Sequence, residues 1–237
     1  MGKNLIQQRR GKGSPTFRAP SFRYEGKVCL NKLTKETVKG IILDIIKCSG
    51  HSAPLMQVKY ENNEESLLIA PEGVRVGDPV ISGSESPATN GNVSTLRNIP
   101  EGTPVYNIES RPGDGGKFVR TSGTCARIVG KTNAGVIIKL PSNKQRIFDP
   151  ECRACIGVIA GGGRLEKPFL KAGNKYYAKK AKNKMYPAVS GLSMNAVAHP
   201  FGGKGSHTKG RPTQASRNAP PGRKVGSIAP KRTGYKR

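Results

Sequence analysis

The sequence predicts an all-β protein with an OB-like barrel followed by an SH3-like barrel, an extended basic N-terminal arm and an extended C-terminal tail. Three observations support this fold class. The middle of the chain alternates short apolar runs with turn-forming residues, its charges are nearly balanced, and its two ends are cationic and poor in apolar residues. Balanced surface charge is typical of a folded domain, whereas cationic segments with few apolar residues bury too little surface to fold alone.

Seven short runs between residues 26 and 165 have the length and the β-branched content of strands. None is long enough for an ordinary helix, and no helical pattern separates them. The runs are GIILDIIK at 40–47, PLMQVKY at 54–60, SLLIA at 66–70, PVYNIE at 104–109, TCARIVG at 124–130, AGVIIKL at 134–140 and CIGVIA at 155–160. Short antiparallel strands without intervening helices favour barrels or sandwiches.

A stretch rich in turn formers, residues 82–102, divides this region into two parts. We expect an OB-like barrel before this stretch and an SH3-like barrel after it. Both barrel types expose loops and a sheet face suited to nucleic acid. The predicted domains are a basic arm at 1–25, an OB-like barrel at 26–85, a linker at 86–100, an SH3-like barrel at 101–165 and a C-terminal region at 166–237.

Charge points to the class of partner. The chain has 41 Lys and Arg against 15 Asp and Glu in 237 residues, a formal charge of +26. That charge is uneven, with +5 on residues 1–25, +4 on 26–160 and +17 on 161–237. Self-repulsion of this size needs a polyanionic partner. We therefore predict that the two arms take a fixed shape only when RNA surrounds them.

A cationic tail can also be a solubilising segment or a disordered linker. The content of this tail favours RNA binding, because its aromatic rings can stack on bases and its glycines let the backbone approach phosphates closely. The rings interspersed with its charges are Phe169, Tyr176, Tyr177, Tyr186, Phe201 and Tyr235.

The expected location is cytoplasmic, without membrane contact. No run approaches the ~18 apolar residues of a membrane span, and the start of the chain, MGKNLIQQRRGKG, lacks the apolar stretch of a signal peptide. In that compartment the five cysteines are expected to be reduced.

Two cysteine-containing motifs have the spacing of zinc ligands. Cys152 and Cys155 have the spacing of half a zinc site, and Cys48 with His51 could supply the other half. The alternative is that these cysteines pack as small apolar side chains near strands. Because the two pairs belong to different predicted barrels, we favour packing and expect neither a metal nor a cofactor.

Motifs of phosphate-binding and catalytic sites are incomplete. GKT at 130–132 has Cys125 where a phosphate-binding loop needs glycine. PGDGGK at 112–117 lies between two predicted strands, where a hairpin turn presenting Lys117 explains it better. His199 and His207 occupy a glycine-rich loop without a nearby carboxylate to orient them. We therefore predict that the protein is not an enzyme and that His199 hydrogen-bonds to an RNA phosphate or base.

Residues 192–203, LSMNAVAHPFGG, and residues 210–234 closely resemble the C-terminal part of the universal large-subunit ribosomal protein two family, in its archaeal and eukaryotic form. Similar stretches extend over nearly the whole chain, including LRNIPEGTPVYNIESRPGDGGKFVR and IGVIAGGGRLEKPFLKAGNKYY. The resemblance implies the two barrels above, a C-terminal region embedded in rRNA, and a structural rather than enzymatic role.

The resemblance also implies partners. These are large-subunit rRNA and neighbouring large-subunit proteins, with further contacts to the small subunit and tRNA, in one copy per ribosome. Family members support assembly of the peptidyl transferase region, tRNA binding and association of the two subunits, while RNA carries out the chemistry.

The resemblance also implies that His199, Pro200, Gly202 and Gly203 correspond to the family's loop that reaches toward the catalytic RNA. Family members commonly carry an acidic residue immediately before this histidine, where this chain has Ala198, which disfavours a mechanism that needs a carboxylate at that position. The candidate rRNA-binding residues are Arg9, Arg10, Lys12, Arg18, Lys117, Arg120, Arg164, Lys167, Lys171, Asn195, His199, Pro200, Gly202, Gly203, Lys204, Arg211, Arg217, Arg223, Lys224, Lys231 and Arg232.

Two other functions predict features that this sequence does not have. An rRNA-modifying or RNA-cleaving enzyme needs a cofactor loop, converging carboxylates or an activated nucleophile. A histone-like protein that coats nucleic acid without a unique site has no evident need for two barrels joined by a short linker.

Overall fold

The computed structural model describes residues 2–33, 36–204 and 213–231. Contacts within the chain define two units. We call Ser21–Phe169 the β unit, and we call Met1–Pro20 together with Leu170–Arg237 the terminal unit. The N-terminal arm and the C-terminal region therefore belong to one unit, although most of the sequence separates them.

The first half of the β unit contains strands β1 (Val38–Ile46), β2 (Leu55–Tyr60), β3 (Glu65–Ile69) and β4 (Pro79–Ser82). Strand β1 pairs antiparallel with β2 and β4, and β2 pairs antiparallel with β3. Their inward side chains form an apolar core around Leu55, Val58 and Leu68. The strands predicted within 40–47, 54–60 and 66–70 are confirmed, whereas the short β4 was not predicted.

The second half contains β5 (Val93–Thr95), β6 (Pro104–Tyr106), β7 (Ala126–Thr132), β8 (Gly135–Lys139), β9 (Gln145–Phe148) and β10 (Arg153–Ile156). Strands β6 to β9 form an antiparallel series around a second core that includes Ile128, Ile138 and Phe148. The strands predicted within 104–109, 124–130 and 134–140 are confirmed.

The last predicted strand is only partly correct. It was expected at 155–160, but β10 begins at Arg153 and ends at Ile156. The predicted apolar run continues beyond the strand to Ile159, which packs in the first core. The sequence pattern missed the start of this strand because a charged residue normally indicates an exposed position. The Arg153 side chain is buried instead, which is rare for arginine.

The predicted linker at 86–100 contains β5 and is not a bare connection. Strand β5 pairs parallel with β4 and antiparallel with β10, so the ten strands follow the order β3-β2-β1-β4-β5-β10-β6-β7-β8-β9. Asn92, next to β5, is buried, accepts a hydrogen bond from the Ile81 N–H and donates one to the Pro87 carbonyl. Polar side chains can be buried when their hydrogen bonds are satisfied, but they give no apolar periodicity in the sequence. Strand β5 was therefore not predicted.

The described part of the terminal unit contains two α-helices that the sequence pattern did not indicate. They are α1 (Ile6–Gly11) and α2 (Ala172–Lys180), and neither buries a residue. The unit also has a two-residue parallel pair, β11 (Gln214–Ala215) with β12 (Ser227–Ile228). Within the described residues, no helix is both long and apolar enough to cross a membrane.

Polar contacts join the two sequence segments of the terminal unit. The Lys3 N–H donates to the Val197 carbonyl at 2.8 Å, and the Gln7 side chain donates to the Lys224 carbonyl at 2.8 Å. In its described part, the buried apolar side chains are Leu5, Ala215 and Val225. Hydrogen bonds rather than an apolar core therefore hold most of this unit in place.

Candidate nucleic-acid interface

All the charged side chains of the terminal unit are basic. Residues 1–20 and 170–237 contain 21 Lys and Arg and no Asp or Glu. The two ion pairs that the structure describes, Arg97–Glu151 and Arg153–Glu109, both lie in the β unit. No acidic side chain within the terminal unit can neutralise its charge, so a polyanion is the partner that its electrostatics require.

Most of the predicted rRNA-binding side chains are accessible to a ligand. Those classed as exposed are Arg9, Lys12, Arg18, Lys117, Arg164, Lys167, Lys171, Asn195, Lys204, Arg217 and Lys231, and Gly203 is exposed as well. Arg10, Arg120, His199, Pro200, Arg223 and Lys224 are half-buried, and Gly202 is buried. The predicted residues Arg211 and Arg232 lie outside the described residues, as does His207.

Some of these arginines also hold the chain itself together. Arg120 donates to the Gly116 carbonyl at 3.2 Å and to the Val28 carbonyl at 3.1 Å, which ties the start of the β unit to the loop before β7. Arg10 donates to the Asn183 carbonyl at 3.1 Å. Substituting either arginine would therefore disturb local structure as well as any contact with RNA.

The turn predicted at 112–117 is present and exposes Lys117. Ile108 and Phe118 pair across it as an antiparallel bridge. The Asp114 carboxylate accepts hydrogen bonds from the Ser110 and Gly116 N–H groups, each at 3.0 Å. The turn is thus fixed by its own side chain, as short Asp-containing turns commonly are, and it holds Lys117 at the surface.

The His199 loop is a tight structure of backbone hydrogen bonds. The His199 N–H donates to the Asn195 carbonyl at 3.1 Å, and the Gly203 N–H donates to the Met194 carbonyl at 3.0 Å. A Cβ atom on Gly202 would overlap the Met194 and Asn195 carbonyl oxygens, so only glycine fits at that position. The loop therefore presents His199 from a defined backbone.

The hydrogen bonding of His199 determines which ring nitrogen carries its proton. The Phe201 N–H donates to Nδ1 of His199 at 3.1 Å, so Nδ1 is unprotonated and the neutral ring carries its proton on Nε2. Burial lowers the pKa of His199 from its ordinary value of 6.5. Near neutral pH the ring is therefore an uncharged Nε2–H donor, suited to a phosphate or carbonyl oxygen.

We expect an NMR titration of the full-length chain to give a His199 pKa below 6.5. The unfolded chain then binds this proton more readily than the folded loop, so the loop is fully stable above about pH 6.5 and loses stability as the pH falls through the lower, folded value. The resonance can be assigned by its absence in a His199→Gln variant, and a titration in urea supplies the unfolded reference. A folded pKa at or above that reference would contradict the prediction.

Stacked arginines in the β unit were missed from the sequence. The guanidinium of Arg146 lies 4.6 Å from the centroid of the Phe118 ring and 5.2 Å from that of Phe148. Arg23 lies 5.3 Å from the centroid of the exposed Phe22 ring. Stacking leaves the edge of a guanidinium free for phosphate, so both are further candidates. Phe118 lies outside the strand that carries Arg146, and charge patterning does not reveal which arginines stack on rings.

The cysteines of the hypothetical zinc site are divided between two cores. Cys48 and Cys155 pack in the first apolar core, and Cys152 packs in the second. Burial raises the pKa of Cys152 and of Cys155 to about 12, which disfavours the thiolate that zinc needs. In the part of the chain that the structure describes, no group of three or more His, Cys, Asp or Glu side chains could hold a metal ion.

Comparison with known proteins identifies the family. A family model described as the C-terminal domain of ribosomal proteins L2 matches residues 89–219. Proteins named large ribosomal subunit protein uL2 are similar over the full length: that of Methanosphaera stadtmanae is 53% identical and that of Archaeoglobus fulgidus 51%, each with all of both chains covered. The uL2 of Halorubrum lacusprofundi is 51% identical over 99% of this chain and 98% of its own. The resemblance noted in the sequence is thereby confirmed, and the chain belongs to the uL2 family of large ribosomal subunit proteins.

Proposed function

We propose that this chain is a structural, non-enzymatic component of the large ribosomal subunit that binds rRNA, in the cytoplasm. The observation that supports this most directly is the terminal unit, where 21 basic residues are combined with no acidic residue. Such a surface binds a polyanion along its length and does not need one reactive centre. Membership of the uL2 family identifies the polyanion as rRNA.

In this proposal, affinity and specificity come from different parts of the molecule. Lys and Arg neutralise phosphates and release counterions, which supplies affinity with little sequence discrimination. Specificity for one rRNA site comes from shape, with the barrels docking as folded bodies and the tail threading between RNA helices. All the candidate rRNA-binding residues named above remain part of this proposal, including Arg211 and Arg232.

The finer roles are proposals of the same kind. We propose that the His199 loop faces the RNA of the peptidyl transferase region, with Nε2–H of His199 donating to an RNA oxygen. Through that region the chain would support tRNA binding and association of the two subunits, as one copy per ribosome beside neighbouring large-subunit proteins. The RNA would carry out the chemistry, since His199 lacks an acidic neighbour at Ala198.

Two measurements on the full-length chain test the proposed function. Its affinity for large-subunit rRNA should fall with salt at a log-log slope of about 0.7–0.9 per phosphate contacted. The chain should also remain with large subunits that are washed in high salt and sedimented. A coating protein would be removed by the wash, and an RNA-modifying enzyme would be present in much less than one copy per subunit.

A further inference from the structure

Helix α2 presents aromatic and basic side chains to solvent. None of its nine residues is buried, and its tyrosines are unusually open, with Tyr177 68% exposed and Tyr176 43% exposed. Tyrosine rings usually lose much of their surface to packing. Two adjacent open rings on a helix without a buried face indicate that a partner covers them.

Lysines flank the rings at short range. Lys180 Nζ lies 5.8 Å from the centroid of the Tyr176 ring, and Lys175 Nζ lies 5.1 Å from that of Tyr186. The Tyr176 and Tyr177 rings meet edge to face with their centroids 5.4 Å apart. Tyr176 is thus in contact on two sides, whereas Tyr177 keeps most of its ring surface open.

The charges select the class of partner. Every charged residue between 170 and 237 is basic, so the surface complements an anion. An acidic protein segment would satisfy the lysines without using an open ring, and an RNA duplex hides its base faces within the stack. An unpaired base satisfies both requirements, because its face can stack on tyrosine while the flanking phosphates contact lysine.

We propose that Tyr177 stacks on an unpaired RNA base while Lys180, three residues further along the same helix, contacts an adjacent phosphate. This inference rests on the proposed function and deepens it, because it assigns α2 to a loop, bulge or single-stranded end of RNA and not to a duplex. Tyr177 then contributes affinity that is independent of salt, and Lys180 contributes affinity that depends on it.

The test compares two fluorescent RNAs bound by the full-length chain, an oligoadenylate of about twelve nucleotides and a duplex of about the same length. Tyr177→Ala should weaken oligoadenylate binding about tenfold, leave the salt slope unchanged and leave duplex binding unchanged. Lys180→Gln should instead lower the salt slope by about 0.7. Alanine favours helix more than tyrosine does, and Tyr177 is not buried, so unfolding of α2 cannot account for the loss.

Two matched variants complete the experiment. Tyr177→Phe keeps the stacking face and should bind like the original chain. Leu170→Ala removes an open apolar side chain without a ring, 88% exposed, shortly before α2 and should have no effect. Equal losses for both RNAs, no loss for Tyr177→Ala, or the same loss for Leu170→Ala would overturn the inference. If the unmodified chain binds neither RNA in a salt-dependent manner, the proposed function itself fails.

Discussion

Replacing Arg153 with alanine is expected to lower the free energy of unfolding of the β unit by about 3–5 kcal/mol. Arg153 and Glu109 form an ion pair at 2.9 Å, with side chains that are 6% and 0% exposed. Removing the guanidinium leaves the Glu109 carboxylate buried without its cation, and an uncompensated buried charge is one of the most destabilising changes in a protein.

The expected effect is large because the pair belongs to a wider network. Arg153 also donates to the Asn31 backbone carbonyl at 2.9 Å, and Glu109 also accepts from the Gly115 N–H at 3.1 Å. Asn31 in turn accepts a hydrogen bond from the Ser82 hydroxyl at 2.7 Å. Five segments of the β unit therefore meet at this point, and losing Arg153 removes several of their contacts together.

Equilibrium urea unfolding, followed by circular dichroism, measures this effect. Arg97→Ala is the matched control, because Arg97 pairs with Glu151 at 3.8 Å on the surface, where the side chains are 74% and 62% exposed. An exposed pair contributes at most about 1 kcal/mol. Equal losses of stability in the two variants would contradict the view that the buried network holds the β unit together.

Deleting residues 170–237 is expected to leave the β unit folded and to abolish stable incorporation into large subunits. The deletion removes 16 of the 41 basic residues and no acidic residue. Each lost phosphate contact should reduce the salt slope of rRNA binding by about 0.7–0.9. It also removes the Val197 and Lys224 carbonyls that bind the N-terminal arm, so the remaining arm loses its ordered contacts.

Sucrose-gradient profiles of subunits from cells that produce the truncated chain measure incorporation. The two apolar cores lie wholly within the β unit, so its amide exchange should match that of the full-length chain. An unfolded β unit would make loss of incorporation uninformative about the tail, and normal incorporation of a folded truncated chain would refute the role given to the terminal unit.

The strands of the two cores could be read from the sequence because their signal is local. The runs that became β1, β2, β7 and β8 combine β-branched residues with turn formers on each side. Strands β4, β5 and β9 are only three or four residues long, and β5 has polar neighbours whose hydrogen bonds are made elsewhere in the fold. Too few residues carry the pattern in such strands for periodicity to detect them, whereas the equally short β6 lies in an apolar run that continues to Ile108.

The candidate interface was likewise only partly predictable from the sequence. The basic arms and the His199 motif were visible in the sequence, and most of the predicted cations are exposed. The stacking of Arg146 on Phe118, the tautomer of His199 and the open face of Tyr177 were not visible. Each depends on which groups lie beside that side chain in space.

By itself the sequence determined the all-β class, the two terminal concentrations of positive charge and the family, because these are properties of single segments and of composition. Only the tertiary structure decided that β5 and β10 join the two halves of one strand series, and that Arg153 is buried against Asn31, which lies 122 residues away in the chain. The physical reason is that a charged or polar residue in a sequence normally indicates an exposed position. Whether it is instead buried and hydrogen-bonded depends on the partners that the fold brings together.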